Sequence, residues 1–259
     1  MNAGTEHAPE RELRIVTLYP EVMAVYADRG NLIALEARCR ARGLGASVTA
    51  VSIGEPLPAA ADLVLIGGGQ DSEQRRIAPD LVTKGAQLRA WADAGVAFLA
   101  VCGGFQLFGH SYRTAAGEEL PGVGLFDVTT VAPPPGAPRC IGDVLAVAED
   151  AALGELVGFE NHGGRTYLGA HARPLARVRY GFGNNGDDGT EGALQHAAIG
   201  TYLHGALLPK NPAVTDRLIA SALAHRYGAQ APLPPLDDPF AARAHAAAAA
   251  VAQRRGRRA

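Results

Sequence analysis

The stretch from Ala97 to Gln106, AFLAVCGGFQ, limits what this chain can fold into more than any other. The apolar run ahead of Cys102 has the length of a buried strand, and Gly103-Gly104 followed by Phe105-Gln106-Leu107-Phe108 marks a tight turn into a helix. A sharp strand-to-helix turn pushes one side chain out at the carboxyl edge of a sheet, and glycines beside it remove the Cβ atoms that would block a ligand. The N-terminal N–H groups of the following helix also point at the sulfur and favour thiolate. Two readings of Cys102 stand at this point: a reactive thiol on a nucleophile elbow, or a small buried hydrophobe of the kind free cysteines often are.

Strands and helices alternate around this turn. LRIVTLY (residues 13–19), ASVTAVSI (46–53) and ADLVLI (61–66) read as strands, the third running into Gly67-Gly68-Gly69. Residues 31–42 place Leu32, Leu35 and Cys39 on one face and arginines on the other, which predicts an amphipathic helix ended by Gly43, with Cys39 in the core. A further helix over residues 71–94 is expected to break or restart at Pro79. Alternation of this kind means an α/β fold: a mostly parallel, flavodoxin-like sheet with right-handed crossovers and helices on both faces. Ligands of such sheets sit outside the carboxyl ends of the strands, so the glycine triplet and Cys102 should be neighbours.

After Gly109 the segments GVGLFDVTTVA, IGDVLAV, VGFENHGGRTYL and RVRYGFG are short, alternating and punctuated by glycine and proline. They predict an antiparallel or mixed C-terminal portion of the sheet, with residues 181–192 as a loop or hairpin tip. Residues 195–203 read as the last strand, ending at His204-Gly205, and residues 213–227 as a helix burying Leu218, Ile219, Ala222 and Leu223. Residues 12–227 are thus expected to form one domain. Residues 228–259 differ in kind: a proline-rich linker, PLPPLDDPF, then an alanine- and arginine-rich helix candidate. The simplest expectation for this tail is a solvated or partly disordered extension, with docking to a partner as the alternative.

Composition removes several function classes. The apolar runs of this 259-residue chain are too short to span a bilayer, and its opening, MNAGTEHAPERE, lacks a basic start and an apolar stretch, so a cytoplasmic protein with no membrane span is expected. Three cysteines, Cys39, Cys102 and Cys140, without CxxC spacing argue against a disulfide framework and against a metal site. A net charge of −2 and a pI near 6.4 give no electrostatic reason to expect nucleic acid.

A thiol nucleophile needs a base, and usually a group that orients the base. Among eight histidines His204 is the best placed, because it ends an apolar strand as Cys102 does, and strand ends on one sheet edge meet. His162, between Asn161 and Gly163, is the rival; its surroundings suggest a loop and a structural hydrogen-bonding role.

CGGFQ at the elbow, the glycine-rich strand end upstream and YLHG downstream resemble the class I, triad-type glutamine amidotransferases, in particular their cobyric acid synthase-like branch. VYADRGN, IGGGQDSEQ, VCGGFQ, GFENHGGRTY, GFGNN and GTYLHGALLPKN, in this order across about residues 12–226, resemble more narrowly the GatD subunits of lipid II isoglutaminyl synthases. The resemblance implies a glutaminase that hydrolyses L-glutamine to glutamate and ammonia for a Mur ligase-like, ATP-dependent synthetase (MurT), within a heterodimer. The synthetase would then amidate the D-glutamate of lipid II to D-isoglutamine in peptidoglycan synthesis, at the inner face of the membrane. In this scheme Cys102 attacks the side-chain amide and His204 moves the protons. The N–H groups of Gly103 and Gly69 receive the oxyanion, although the glycine triplet also reads simply as a tight turn.

One departure stands out. Triad amidotransferases usually carry a glutamate two residues beyond the histidine, where this chain has Ala206. The GatD-like pattern offers Asp28, in VYADRGN, as the substitute; its alternative is an N-cap for the helix beginning near Asn31. By the same resemblance Gln106 contacts glutamine, and Arg139 grips the substrate α-carboxylate with its two-pronged guanidinium, the alternative being a solvated surface arginine. Cys140 reads as a packing residue. The chain has no GKS or GKT phosphate-cradling motif, so no cofactor is expected here, and ATP and Mg belong to the partner. Readings that compete with the leading one are a glutaminase for a corrinoid synthase, a stand-alone cysteine hydrolase and a non-catalytic binding subunit.

Overall fold

The computed structural model describes residues 11–25 and 28–255; residues 1–10, Tyr26, Ala27 and the basic end at 256–259 lie outside the described residues. In chain order the first half contains β1 (Glu12–Leu18), α1 (Arg29–Arg40), β2 (Gly45–Val51), β3 (Leu63–Ile66), α2 (Asp71–Asp93), β4 (Ala97–Val101) and α3 (Gly103–Phe108). Every residue of β3 and β4 is buried, as expected of strands covered on both faces. α2 runs through Pro79 without a break, against the expectation of one. Pro79 and Arg75, whose carbonyl loses its helical partner, both lie on the exposed face, where water can take that hydrogen bond.

The middle of the chain supplies β5 (Ser111–Arg113), β6 (Glu119–Pro121), β7 (Val128–Val131), β8 (Cys140–Ala148), β9 (Glu155–His162), β10 (Arg165–Leu168), β11 (Ala176–Tyr180) and β12 (Thr190–Glu191). These strands do not extend the central sheet. They form two further four-stranded sheets, ordered β10-β7-β5-β6 and β12-β11-β8-β9, antiparallel except for the β5–β7 pair. The alternation that marked them as strands also explains their separation: β11 buries Ala176 and Val178 but exposes Arg177 and Arg179, which suits a sheet with one wet face.

The chain then returns to the central sheet as β13 (Ala193–Gln195) and β14 (Ala198–Thr201). Where one strand was expected over 195–203, a hairpin turn at His196, whose φ is +54°, splits it in two. The central sheet runs β13-β14-β4-β3-β1-β2, parallel throughout except for β13. Phe105 of α3 packs edge-on against Phe126 and Tyr202, with ring centroids 5.4 and 5.6 Å apart, and locks the elbow helix against the core.

α4 (Leu207–Lys210), α5 (Pro212–Tyr227) and α6 (Pro239–Arg255) complete the fold. The tail is docked rather than free. Ala249 and Ala252 of α6 pack on Leu145 of β8 and Val157 of β9. The buried Arg38 guanidinium joins Asp216 of α5 (2.7 Å) to Asp238 of the linker (2.9 Å), and Arg42 donates to the Pro234 carbonyl (2.6 Å). An alanine-rich helix has little apolar surface of its own, so these arginine anchors supply what its composition lacks. Among the described residues no helix is long and apolar enough to cross a membrane.

Candidate active site

β4 and β14 are parallel neighbours, with Val101 opposite Thr201, and the Cys102 N–H donates to the Thr201 carbonyl at 2.8 Å. Cys102 sits between β4 and α3 with φ +50° and ψ −107°, a conformation that costs a residue with a Cβ on the order of 1–3 kcal/mol. The glycines that follow explain how the turn survives. A Cβ on Gly103 would lie 2.8 Å from the Gly69 carbonyl oxygen and 2.9 Å from its nitrogen, and one on Gly104 would lie 2.8 Å from the Gly67 carbonyl oxygen. The elbow and the glycine triplet thus interlock through bare backbone, and a Gly104 N–H to Gly67 carbonyl bond of 3.2 Å fastens them. The expected neighbourhood of the triplet and Cys102 is what the structure has.

His204 follows β14 and is pinned by a two-way backbone bridge to Phe159 of β9, at 2.7 and 3.3 Å. Its Nδ1 is 3.2 Å from Asp28 Oδ1, and the Cys102 sulfur lies close enough to strengthen its hold on a proton. Asp28 Oδ2 accepts the Gly68 N–H at 2.7 Å. Asp28 occupies the N-cap position of α1 but its side chain makes no capping hydrogen bond, because both oxygens face the site. Burial works against a charged His204, yet the hydrogen bond to Asp28 and the influence of Asp28 and the Cys102 sulfur push its pKa up to about 10. Gly68 leaves the space that the imidazole fills: a Cβ there would lie 2.7 Å from His204 Cε1.

Cys102 lies at the floor of a cavity of about 870 Å³ whose walls come from the start of α2, the 132–137 loop with its three prolines, and the end of β9. Gly69, Gln106 and Arg139 all line it. Arg139 is held by Asn161, its Nε and Nη2 donating to Asn161 Oδ1 at 3.1 and 3.0 Å. Gln106 is buried and engaged on both sides of its amide: Oε1 accepts from Gln74 Nε2 (2.9 Å) and Nε2 donates to the Tyr202 hydroxyl (3.0 Å). The chain continues through Thr166 to Thr130, at 2.6 and 2.7 Å. His162 also reaches the cavity wall, but its ring stacks on Tyr202 and Nδ1 bonds the Gly164 carbonyl at 2.8 Å, away from the Cys102–His204 pair. Cys39 and Cys140 are buried away from the elbow, Cys140 against Arg165.

Tyr202, Gln74, Asp71 and Tyr112 went unnoticed in the sequence although three of them fall inside the quoted motifs. Each acts through a partner distant in the chain. Among the described residues no group of three or more His, Cys, Asp or Glu side chains is placed to hold a metal ion.

Comparison with known proteins decides the family. Residues 14–212 match the CobB/CobQ-like glutamine amidotransferase domain. The chain belongs to that family. This amidotransferase is 38% identical over 212 residues to the lipid II isoglutaminyl synthase (glutamine-hydrolyzing) subunit GatD of Staphylococcus aureus (strain N315), covering 82% of this chain and 84% of that protein. It is 36% identical over 228 residues to the subunit of the same name from Streptococcus pneumoniae (strain ATCC BAA-255 / R6), covering 88% and 86%. Among solved structures, PurLQS from Thermotoga maritima superposes on the amidotransferase with a TM-score of 0.57 at 16% identity, over 83% of this chain and 98% of the other, a likeness of fold.

Proposed function

We propose that this amidotransferase hydrolyses L-glutamine at Cys102 and passes the ammonia to a Mur ligase-like synthetase, MurT, which amidates the D-glutamate of lipid II to D-isoglutamine. The observation that supports this reading most is the alignment of Cys102, His204 and Asp28 across three elements of the sheet edge, in a chain so similar to GatD subunits.

The chemistry follows from the geometry. The Cys102 thiolate attacks the side-chain amide carbon of glutamine, and the carbonyl π electrons move to oxygen. The N–H groups of Gly103 and Gly69, held together by the interlocked turns, receive that oxyanion. The imidazolium of His204, stabilised by Asp28, gives its proton to the departing nitrogen, so the C–N bond breaks and ammonia leaves a γ-glutamyl thioester. Water then attacks the thioester while His204 takes its proton, and glutamate departs with the thiolate restored. Asp28 is the orienting carboxylate, Arg139 holds the substrate α-carboxylate, and Gln106 positions the cavity floor from within its hydrogen-bond chain. ATP and Mg act on the partner, which holds lipid II at the inner face of the membrane while this chain stays on the cytoplasmic side.

The test is to purify the chain with the synthetase, add lipid II, ATP and glutamine, and weigh the lipid product. Exchange of a hydroxyl for an amino group, lost with Cys102→Ala, is expected. Glutamine hydrolysis undiminished in Cys102→Ala would overturn the mechanism. Intact glutaminase activity with no lipid II amidation, or amidation of a corrinoid carboxylate instead, would overturn the acceptor.

A further inference from the structure

Glutamine is a zwitterion whose reactive amide sits at the far end of its side chain from two opposite charges. A pocket that places this amide on Cys102 must therefore meet a carboxylate and an ammonium together at its other end. Among the described residues that line the cavity, one carboxylate, Asp71, and one guanidinium, Arg139, carry fixed charge. The rest of the wall is apolar or neutral side chains and backbone, together with Cys102 and His162.

Asp71 opens α2 directly after the glycine triplet and Gln70, so the turn that presents Gly69 also aims Asp71 at the cavity. Its Oδ1 accepts the Tyr112 hydroxyl at 2.9 Å, and Tyr112, from β5, is itself a buried part of the wall. Oδ2 takes no part in that bond. The Tyr112 hydroxyl thus fixes one oxygen of the carboxylate. The Tyr112 phenol lies within the electrostatic reach of both Cys102 and Arg139, and all three line the same cavity as Asp71. Burial and the Asp71 carboxylate hold that phenol in its protonated, donating form.

We infer that Asp71, oriented by Tyr112, is the subsite for the α-ammonium of the substrate, in the same cavity as Arg139 at the α-carboxylate. The inference rests on the glutaminase reading and deepens it: the site selects a free α-amino acid, and it rejects amides that lack the amino group or carry it acylated. A charged subsite left without its partner loses a charge-assisted contact, so recognition of this kind discriminates against the truncated analogue.

The experiment compares L-glutamine with glutaramate, the same amide without the α-amino group, in the full-length protein and in Asp71→Asn. The unmodified enzyme should prefer glutamine, and Asp71→Asn should lower kcat/KM for glutamine by roughly ten- to a hundredfold, chiefly through KM, while leaving glutaramate unchanged. Tyr112→Phe should move the same ratio in the same direction by less. Equal losses on both amides would show that Asp71 serves the fold of the α2 start, and no loss on either would show that it does not touch substrate; either outcome overturns the inference. An unmodified enzyme that turns over neither amide overturns the glutaminase reading along with it. Binding of L-glutamine to Cys102→Ala, measured by calorimetry with and without Asp71→Asn, gives a second readout independent of turnover, and equal affinity in the two would also overturn the subsite.

Discussion

Gly30 lies directly against Ala206: a methyl group at Gly30 would come within 2.7 Å of the Ala206 Cβ. The start of α1 has therefore closed the space in which a longer side chain at position 206 would have to lie. The carboxylate that faces His204 arrives instead from Asp28, two residues before Gly30, and Ala206 at φ +50° caps the other side. One arrangement excludes the other. Ala206→Glu is expected to lower kcat for glutamine on the order of a hundredfold by displacing the α1 start and Asp28 with it, and Ala206→Glu in an Asp28→Asn background should restore nothing. Recovery of turnover in the double variant would show that position 206 has room for a carboxylate.

The environment of His204 gives a pH signature. Its pKa rises from 6.5 in the unfolded chain to about 10, because the hydrogen bond to Asp28 and the influence of Asp28 and the Cys102 sulfur outweigh burial. A group raised on folding contributes stability that is fully present below the lower value and is lost as pH climbs through the higher one. Unfolding free energy should thus decline between pH 6.5 and about 10, and Asp28→Asn should flatten that decline. Imidazole titration by NMR checks the cause: His204 should titrate lower in Asp28→Asn, and lower also in Cys102→Ala, than in the unmodified protein.

Tyr202 sits in the middle of the buried chain that runs from Gln74 to Thr130. Tyr202→Phe keeps the ring against Phe105 and His162 but removes the hydroxyl that Gln106 and Thr166 share. Buried groups left without a partner cost about 1–3 kcal/mol, so the unfolding free energy should fall by that amount and the urea midpoint should drop at unchanged slope. A midpoint unchanged by this substitution would mean that water replaces the hydroxyl.

Arg38 ties the end of the linker to the body of the protein at Asp238, beside the Arg42 contact to Pro234. Its two carboxylate partners are partly exposed, so Arg38→Ala should cost only about 1–2 kcal/mol globally. Locally the effect should be larger: faster hydrogen exchange over α6 and proteolytic cleavage within residues 229–238, with glutamine hydrolysis retained.

Much of this site could be read before the fold was known. A five-residue apolar run into Cys-Gly-Gly has few alternatives to a buried strand and a tight turn, and a second apolar strand running towards a histidine put His204 at the same sheet edge. Asp28 needed more than spacing, because a carboxylate just before a helix reads equally as an N-cap until its oxygens are seen to face His204 and Gly68. Alternation identified β5 to β12 as strands but could not assign them to a sheet, since a period of two reports a wet face and not a neighbour. Pro79 misled for a related reason: whether a proline breaks a helix depends on whether the orphaned carbonyl reaches water. The roles of Tyr112 and Tyr202 were hidden because their partners, Asp71 and Gln106, lie far away in the chain.

The adjacency of β4 and β14 has a bearing on how the protein comes into being. More than a hundred residues and two whole sheets separate Cys102 from His204, yet they meet beyond the ends of neighbouring strands. During synthesis Cys102, the proposed nucleophile, emerges long before His204, its proposed base, and the N-terminal half alone could close an elbow around a thiol with no imidazole beside it. Contacts this distant in sequence form late. Amide chemistry is thus armed only when the last strand slots in beside the fourth, which makes glutamine turnover a reporter of complete folding and keeps nascent chains chemically quiet.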